Sequence, residues 1–191
     1  MKGRILSVPN QLTFLRLGFL PFFIISIHYE RYDWALGILI LAGLTDGLDG
    51  LLARTLNQKT ALGAYLDPIA DKLMLSSSYL VLALKGKIGW WLAILVLGRD
   101  VLILVAAAAV LMTVGYMAFP PSIYGKATTT FEILLIFLVI LREVVGGAGL
   151  LLVVRMVCGY LVAIFVILSG LHYGIVIARR LQTEGGPTHA G

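Results

Sequence analysis

Apolar residues gather in six long stretches, at 12–27, 34–52, 62–84, 88–114, 128–141 and 150–178, separated by short polar joints at 28–33, 55–59, 85–87, 120–126 and 142–149. Most of these stretches approach or exceed the roughly 20 residues that carry a helix across the hydrocarbon layer of a bilayer. Pro120-Pro121 and Gly146-Gly147 punctuate two of the joints, because neither residue type continues a helix well. The Gly/Pro-rich end at 184–191 reads as a disordered tail. The pattern predicts an all-α integral membrane protein, six transmembrane helices in one domain over 1–183, with no internal repeat.

Composition sharpens this. Of 191 residues, 60% are hydrophobic and 13% charged, and the mean hydropathy is +0.97. A soluble domain carries about a quarter charged residues, so the surplus apolar surface is expected to face lipid. The net charge of +5 comes from bases dispersed along the chain, which excludes the clustered patch of a nucleic-acid binder. With six crossings, Lys2, Arg4, Arg54, Lys59, Lys126, Arg179 and Arg180 share one side, and Arg31, Lys85, Lys87 and Arg142 the other. The positive-inside rule then puts both termini, and the joint after the second stretch, in the cytoplasm. Lys2 and Arg4 before an apolar run imitate a signal peptide. There is no small-residue cleavage site and Arg16 interrupts the run, so it reads as a retained first helix. No transit peptide is visible, and a bacterial inner membrane is the expected location. The single cysteine, Cys158, reads as a small apolar packing residue with no internal disulfide partner.

Four carboxylates stand against this apolar background. The stretch 46–71 reads Asp46-x-x-Asp49-Gly50-x-x-Ala53-Arg54, eight further residues, then Gly63-x-x-x-Asp67-x-x-x-Asp71. An ionised Asp near a membrane is costly and tends to be paired and functional. Residues three or four apart share a helix face, so Asp46 and Asp49 point together from one helix end, and Asp67 and Asp71 from the start of the next. A short joint makes the two helices antiparallel neighbours, so the pairs face each other. One or two hard divalent cations with oxygen ligands relieve the repulsion; Mg²⁺, held by a few carboxylates and by substrate phosphates, suits best, with Mn²⁺ the alternative. Gly50, Ala53 and Gly63 keep the faces bare, and Arg54 offers a planar fork for phosphate. Together they describe a pyrophosphate site at a membrane surface.

This stretch resembles the full signature of the CDP-alcohol phosphatidyltransferase family, with all eight fixed positions matched, and six helices with the motif between the second and third is also the family pattern. The resemblance implies that Asp46, Asp49 and Asp67 hold two divalent cations. Asp71 is implied as the general base and as a further metal contact. Gly50, Ala53, Arg54 and Gly63, with Asn10 and Thr13, are implied for the CDP-lipid pocket. The implied reaction moves the phosphatidyl group of CDP-diacylglycerol to a small alcohol and releases CMP, by metal-assisted phosphoryl transfer. Asn10-x-x-Thr13-x-x-Arg16 and Leu66–Lys72 resemble both phosphatidylglycerophosphate synthases and cardiolipin synthases. Gly125-Lys126-Ala127-Thr128-Thr129 resembles a Gly-Lys-x-Lys-Thr segment of the former, with Thr128 in place of the second Lys, where cardiolipin synthases tend to have Asn. Arg99-Asp100 leans towards cardiolipin synthases. Arg99 and Lys126, then Arg155, are the expected cations for an acceptor phosphate. Glycerol-3-phosphate ranks first as acceptor, phosphatidylglycerol second, and inositol phosphate or serine after them.

Plainer roles stand beside these. Asn10 is a favoured N-cap, Arg16 is of a type that snorkels to the interface, Lys126 suits a topology anchor, and Arg99 can simply pair with Asp100. Arg155 and Glu132 stay open between ion pairing and function. His172-Tyr173, Trp34, Trp90 and Trp91 read as interfacial residues. Gly170-x-x-x-Gly174 permits close helix packing and suggests a homodimer. An ion or metal transporter is a competing class, but it would spread its acids over several helices near mid-membrane. A membrane prenyltransferase also uses acidic motifs and Mg²⁺, but far apart in sequence, whereas Asp49 and Asp67 are 18 residues apart.

Overall fold

A computed structural model describes the backbone over 8–55, 61–114, 123–146 and 149–184, and side chains within 11–47, 69–105, 123–146 and 149–175 except those of residues 12 and 124. Among the described residues six helices follow one another: α1 (Val8–His28), α2 (Tyr32–Thr55), α3 (Ala61–Leu84), α4 (Trp90–Val114), α5 (Ile123–Val145) and α6 (Gly149–Glu184). Among the described residues there is no strand. All six expected segments are present, and most are longer than their apolar stretches. Lys126 lies in the opening turns of α5, and Arg142 and Glu143 in its last. A charged residue in a terminal turn reaches water without leaving the helix, so hydropathy alone cuts the helix short. Asn10 lies inside α1 rather than ahead of it, which removes its reading as an N-cap. Glu184 is the last residue of α6; the rest of the expected tail, and the topology markers Lys2, Arg4 and Lys59, lie outside the described residues.

Two helix ends are closed in the same way. At the end of α3, Gly86 takes φ +66°, its N–H donates to the carbonyl of Ala83 at 2.9 Å, and that of Lys87 donates to Leu82 at 2.8 Å. This is the Schellman arrangement, which satisfies the last carbonyls and normally uses glycine at the left-handed position. At the end of α1 the equivalent bonds run from Glu30 to Ile27 at 3.1 Å and from Arg31 to Ser26 at 2.8 Å, but the left-handed residue is Glu30, with φ 59°. A β-carbon there costs about 1 kcal/mol. Glu30→Gly is therefore expected to raise the thermal midpoint of the detergent-solubilised protein. The Lys85–Glu30 pair it removes is long, at 3.5 Å, and exposed, and such pairs contribute little. A lowered midpoint would mean that the pair outweighs the strain.

α1 packs against α2 and α3, α5 against α6 and α2, and α4 against α6 and α3. The core where they meet is built of Phe23 and Ile27 of α1, Ala35 and Ala42 of α2, Tyr79 and Leu82 of α3, Val96 of α4, Ile136 and Ile140 of α5, and Val162 and Val166 of α6. Phe131 and Phe165 stack across α5 and α6 with centroids 5.0 Å apart. The outward faces are also apolar: Phe22, Ile94, Leu102, Leu104, Leu150 and Leu171 are all exposed. So much exposed apolar surface suits contact with lipid or a partner more than with water. Among the described residues, one helical stretch, Gly149–Ile175, is long and apolar enough to cross a membrane by length and composition, and a shorter apolar stretch runs Thr13–His28. The charged residues from which the site is made lie on α1, α2 and α3, Arg16 within the shorter apolar stretch itself.

Candidate active site

α1, α2 and α3 bring one cation and two carboxylates to a single point. Asp46 lies in the second half of α2 and Asp71 in the first half of α3. Arg16 reaches them from α1: its Nη2 lies 2.9 Å from Oδ1 of Asp46, and its Nη1 donates to Oδ1 of Asp71. The two carboxylates are about half exposed, whereas Arg16 is 3% exposed. The guanidinium does not snorkel to the interface. It is buried among helices, with its two ends on acids from two different helices.

These three groups line one wall of a cavity of about 410 Å³, whose remaining walls come from α2, α3 and α5. The cavity is apolar away from the acids, with Leu39, Ile40, Ile133, Leu134 and Phe137 on its sides. Gly43 lines it as well, and a β-carbon at Gly43 meets nothing within 4 Å, as at Gly47 one turn on. A side chain at Gly43 would project into the cavity. The bare face expected from Gly50 and Ala53 therefore continues back along α2 to residues that the motif does not include. Among the described residues, no three acidic, histidine or cysteine side chains stand close enough to hold a metal. Two of the four expected aspartates belong to that set. Asp46 and Asp71 nonetheless converge on one positive charge with oxygen donors, the donor chemistry that a hard divalent cation requires.

Asp49, Gly50, Ala53 and Arg54 lie on α2, Gly63 and Asp67 on α3, and Asn10 on α1; their side chains lie outside the described residues. Thr13 is buried one turn before Arg16.

Behind Asp71 lies a second polar group. Lys72 donates to Oδ1 of Asp100, and Arg99 donates to the same oxygen at 2.8 Å and to Oγ of Ser169 at 2.8 Å. This ties α3, α4 and α6 together next to the aspartate pair. Arg99 thus does pair with Asp100, the plainer of its expected roles. Its Nε, Oδ2 of Asp100 and both carboxylate oxygens of the fully buried Glu132 make no hydrogen bond among the described residues. Sequence reasoning left Glu132 open and did not find Ser169.

The Gly125–Thr129 segment divides between two faces. Thr128 is buried, and its hydroxyl donates to the carbonyl of Phe165 on α6 at 3.1 Å, whereas Thr129 and Thr130 line the cavity. Threonine in place of lysine at 128 therefore bears on the α5–α6 contact rather than on the cavity wall. Lys126 is exposed. Arg155 is not brought to this site. It donates to the carbonyl of Lys87 at 2.8 Å, beyond the far end of α3. An arginine early in α6 lies level with the α3–α4 joint because α4 and α6 are neighbours running the same way, with Leu92 beside Gly159 and Arg99 beside Ser169.

The CDP-alcohol phosphatidyltransferase family model matches residues 6–179. A Mycobacterium tuberculosis protein named "Probable phosphatidylglycerophosphate synthase" is 33% identical over 97% of this chain and 87% of its own length. Another from the same organism, named "Putative cardiolipin synthase", is 37% identical over 67% of this chain; the match spans 61% of that relative, less than two thirds of it. A Streptomyces coelicolor protein named "Cardiolipin synthase (CMP-forming)" is 35% identical over 76% of this chain and 69% of its own length.

Proposed function

Because the chain belongs to the CDP-alcohol phosphatidyltransferase family, we propose that it transfers the phosphatidyl group of CDP-diacylglycerol to an alcohol in phospholipid biosynthesis, with glycerol-3-phosphate as acceptor. The observation that carries this reading is the convergence of Asp46 and Asp71 on one cation at the wall of a largely apolar cavity. Acids and an arginine suit the charged end of a CDP-lipid, and apolar walls suit its chains.

The acceptor hydroxyl gives its proton to the Asp71 carboxylate and attacks the lipid-side phosphorus. A new P–O bond forms as the P–O bond to the cytidylate breaks, and CMP leaves. Asp46, Asp49 and Asp67 would hold two divalent cations, Mg²⁺ in the first instance, with Asp71 beside them; when bound, these neutralise charge on the pyrophosphate and its leaving group. The chain's own contribution is to orient the hydroxyl at Asp71, hold that carboxylate in place through Arg16, and keep water off the lipid chains with the apolar walls. Arg99 and Lys126 are the cations proposed for the acceptor phosphate, and Gly50, Ala53, Arg54, Gly63, Asn10 and Thr13 the residues proposed for the CDP-lipid.

The phosphatidylglycerophosphate reading draws support from the relative of that name, which matches nearly the whole chain. Phosphatidylglycerol as acceptor is the second reading, favoured by the Arg99-Asp100 pair and by relatives named cardiolipin synthase. The architecture we propose is a single domain over 1–183 with six membrane crossings in the bacterial inner membrane, both termini and the aspartates on the cytoplasmic side. A homodimer would use the open faces of Gly170 and Gly174 on α6.

The test is CMP release by the purified protein with CDP-diacylglycerol, Mg²⁺ and each candidate acceptor in turn. Release with glycerol-3-phosphate and its loss on chelation are expected. Release only with phosphatidylglycerol would exchange the two readings. No CMP with any acceptor, from folded protein, would sink the transferase reading and reopen the transporter and prenyltransferase classes.

A further inference from the structure

A second groove lies between α4 and α6, at the end of the bundle away from the aspartates. Its volume is about 190 Å³. From Asp71, α3 runs on to Leu84 before the joint that carries Lys87, a rise of roughly 20 Å. The mouth of the groove is basic and its walls are apolar and aromatic. Lys87 and Arg155 line it, together with Trp91, Leu92, Met156 and Tyr160. Trp91, Met156 and Tyr160 are half exposed or more on the outer surface, so the groove opens sideways where lipid would stand.

The charges at the mouth do not balance. Lys87 bonds Glu143 at 2.6 Å, and Arg142 lies 3.5 Å from the same carboxylate. Arg155 adds a third cation through its bond to the Lys87 carbonyl. Three bases therefore share one acid. The hydrogen bond to Glu143 lifts the Lys87 ammonium above its ordinary value, so it stays charged at neutral pH. Glu143 acts on Arg155 only at longer range; the hydrogen bond of Arg155 is to a neutral carbonyl. A partly buried guanidinium between the outward-facing Val154 and Met156 calls for a closer counter-ion, because a charge without a direct partner near a bilayer is costly. Gly159, one turn beyond Arg155, forms part of the groove wall; a β-carbon there comes 3.7 Å from Cδ2 of Leu92, so a larger side chain would fill the space.

We propose that this groove binds the phosphate of an anionic phospholipid. Arg155 and Lys87 hold the phosphodiester, and a chain lies along Leu92, Met156 and Tyr160. Basic pockets between membrane helices hold anionic headgroups by the same combination of charge and apolar contact. The groove is separate from the aspartate site, and the proposal does not depend on which reaction that site performs.

The test is native mass spectrometry of the full chain released from micelles containing phosphatidylglycerol or phosphatidylcholine at equal mole fraction. The wild-type chain is expected to retain phosphatidylglycerol in preference to phosphatidylcholine. Arg155→Gln is expected to lower that retention roughly five- to tenfold, since each basic residue near the surface contributes about that factor. Gly159→Leu keeps both cations and is expected to lower it as well, which covers the case in which Arg155→Gln does not fold. Asp46→Asn should leave this retention unchanged, which separates the groove from lipid held at the aspartates. Equal retention of both lipids, or undiminished retention in Gly159→Leu, would overturn the proposal. So would displacement of the lipid by millimolar inorganic phosphate, which would identify a site for a free anion.

Discussion

Asp71→Asn is expected to lower CMP formation by about 10²- to 10⁴-fold, the range over which a positioned general base contributes. Asparagine keeps the size of the side chain and one oxygen acceptor, so the bond from Arg16 has a partner in the variant and α1 stays seated. What is lost is the ability to take the acceptor's proton. The effect should therefore fall on kcat, with little change in the KM for CDP-diacylglycerol. Asp46→Asn gives the contrasting result. It removes a charge proposed to hold metal, and should raise the Mg²⁺ concentration needed for half-maximal rate. The measurement is CMP release against both CDP-diacylglycerol and Mg²⁺. If Asp71→Asn retained more than about a tenth of wild-type kcat, the base would have to be sought elsewhere, since so small a loss lies below the usual contribution of such a group.

The two aspartates were readable from sequence for a definite reason. Their spacings of three and four place them on helix faces, and charged residues near apolar stretches stand out against a mean hydropathy of +0.97. The helices were readable on the same contrast, though less well at their ends, where Lys126, Arg142 and Glu143 are polar and helical at once. Arg16 was not readable as part of the site. A lone arginine in an apolar run gives the same pattern whether it snorkels or pairs, and its partners lie 30 and 55 residues away. Only the packing of α1 across both α2 and α3 distinguishes the cases. Arg99 and Arg155 show the same ambiguity with opposite outcomes. Arg99 joins the layer behind Asp71 through Asp100 and Ser169, whereas Arg155 closes the far end of the bundle on Lys87. Spacing relates residues along one helix. Which helices stand side by side, and which of their ends are level, is settled by long-range packing.

Arg16 also supports the second large prediction. Arg16→Met should destabilise the metal-free protein by about 2 kcal/mol. Breaking a buried ion pair costs about 3–5 kcal/mol, and the half exposure of Asp46 and Asp71 reduces this because water screens the charges left behind. For a chain of this length that corresponds to a fall of roughly 4–8 °C in thermal midpoint. The sign of the Mg²⁺ effect is what makes the experiment informative. In the wild type, Arg16 already neutralises part of the carboxylate charge. In Arg16→Met that charge is uncompensated, so added Mg²⁺ should recover more stability in the variant than in the wild type. Thermal denaturation of both proteins with chelator and with Mg²⁺ reads this directly. A larger Mg²⁺ shift in the variant would mean that arginine and cation serve the same carboxylates. Equal shifts would mean that divalent cations bind away from Asp46 and Asp71, and the metal assignment would have to move to other acids.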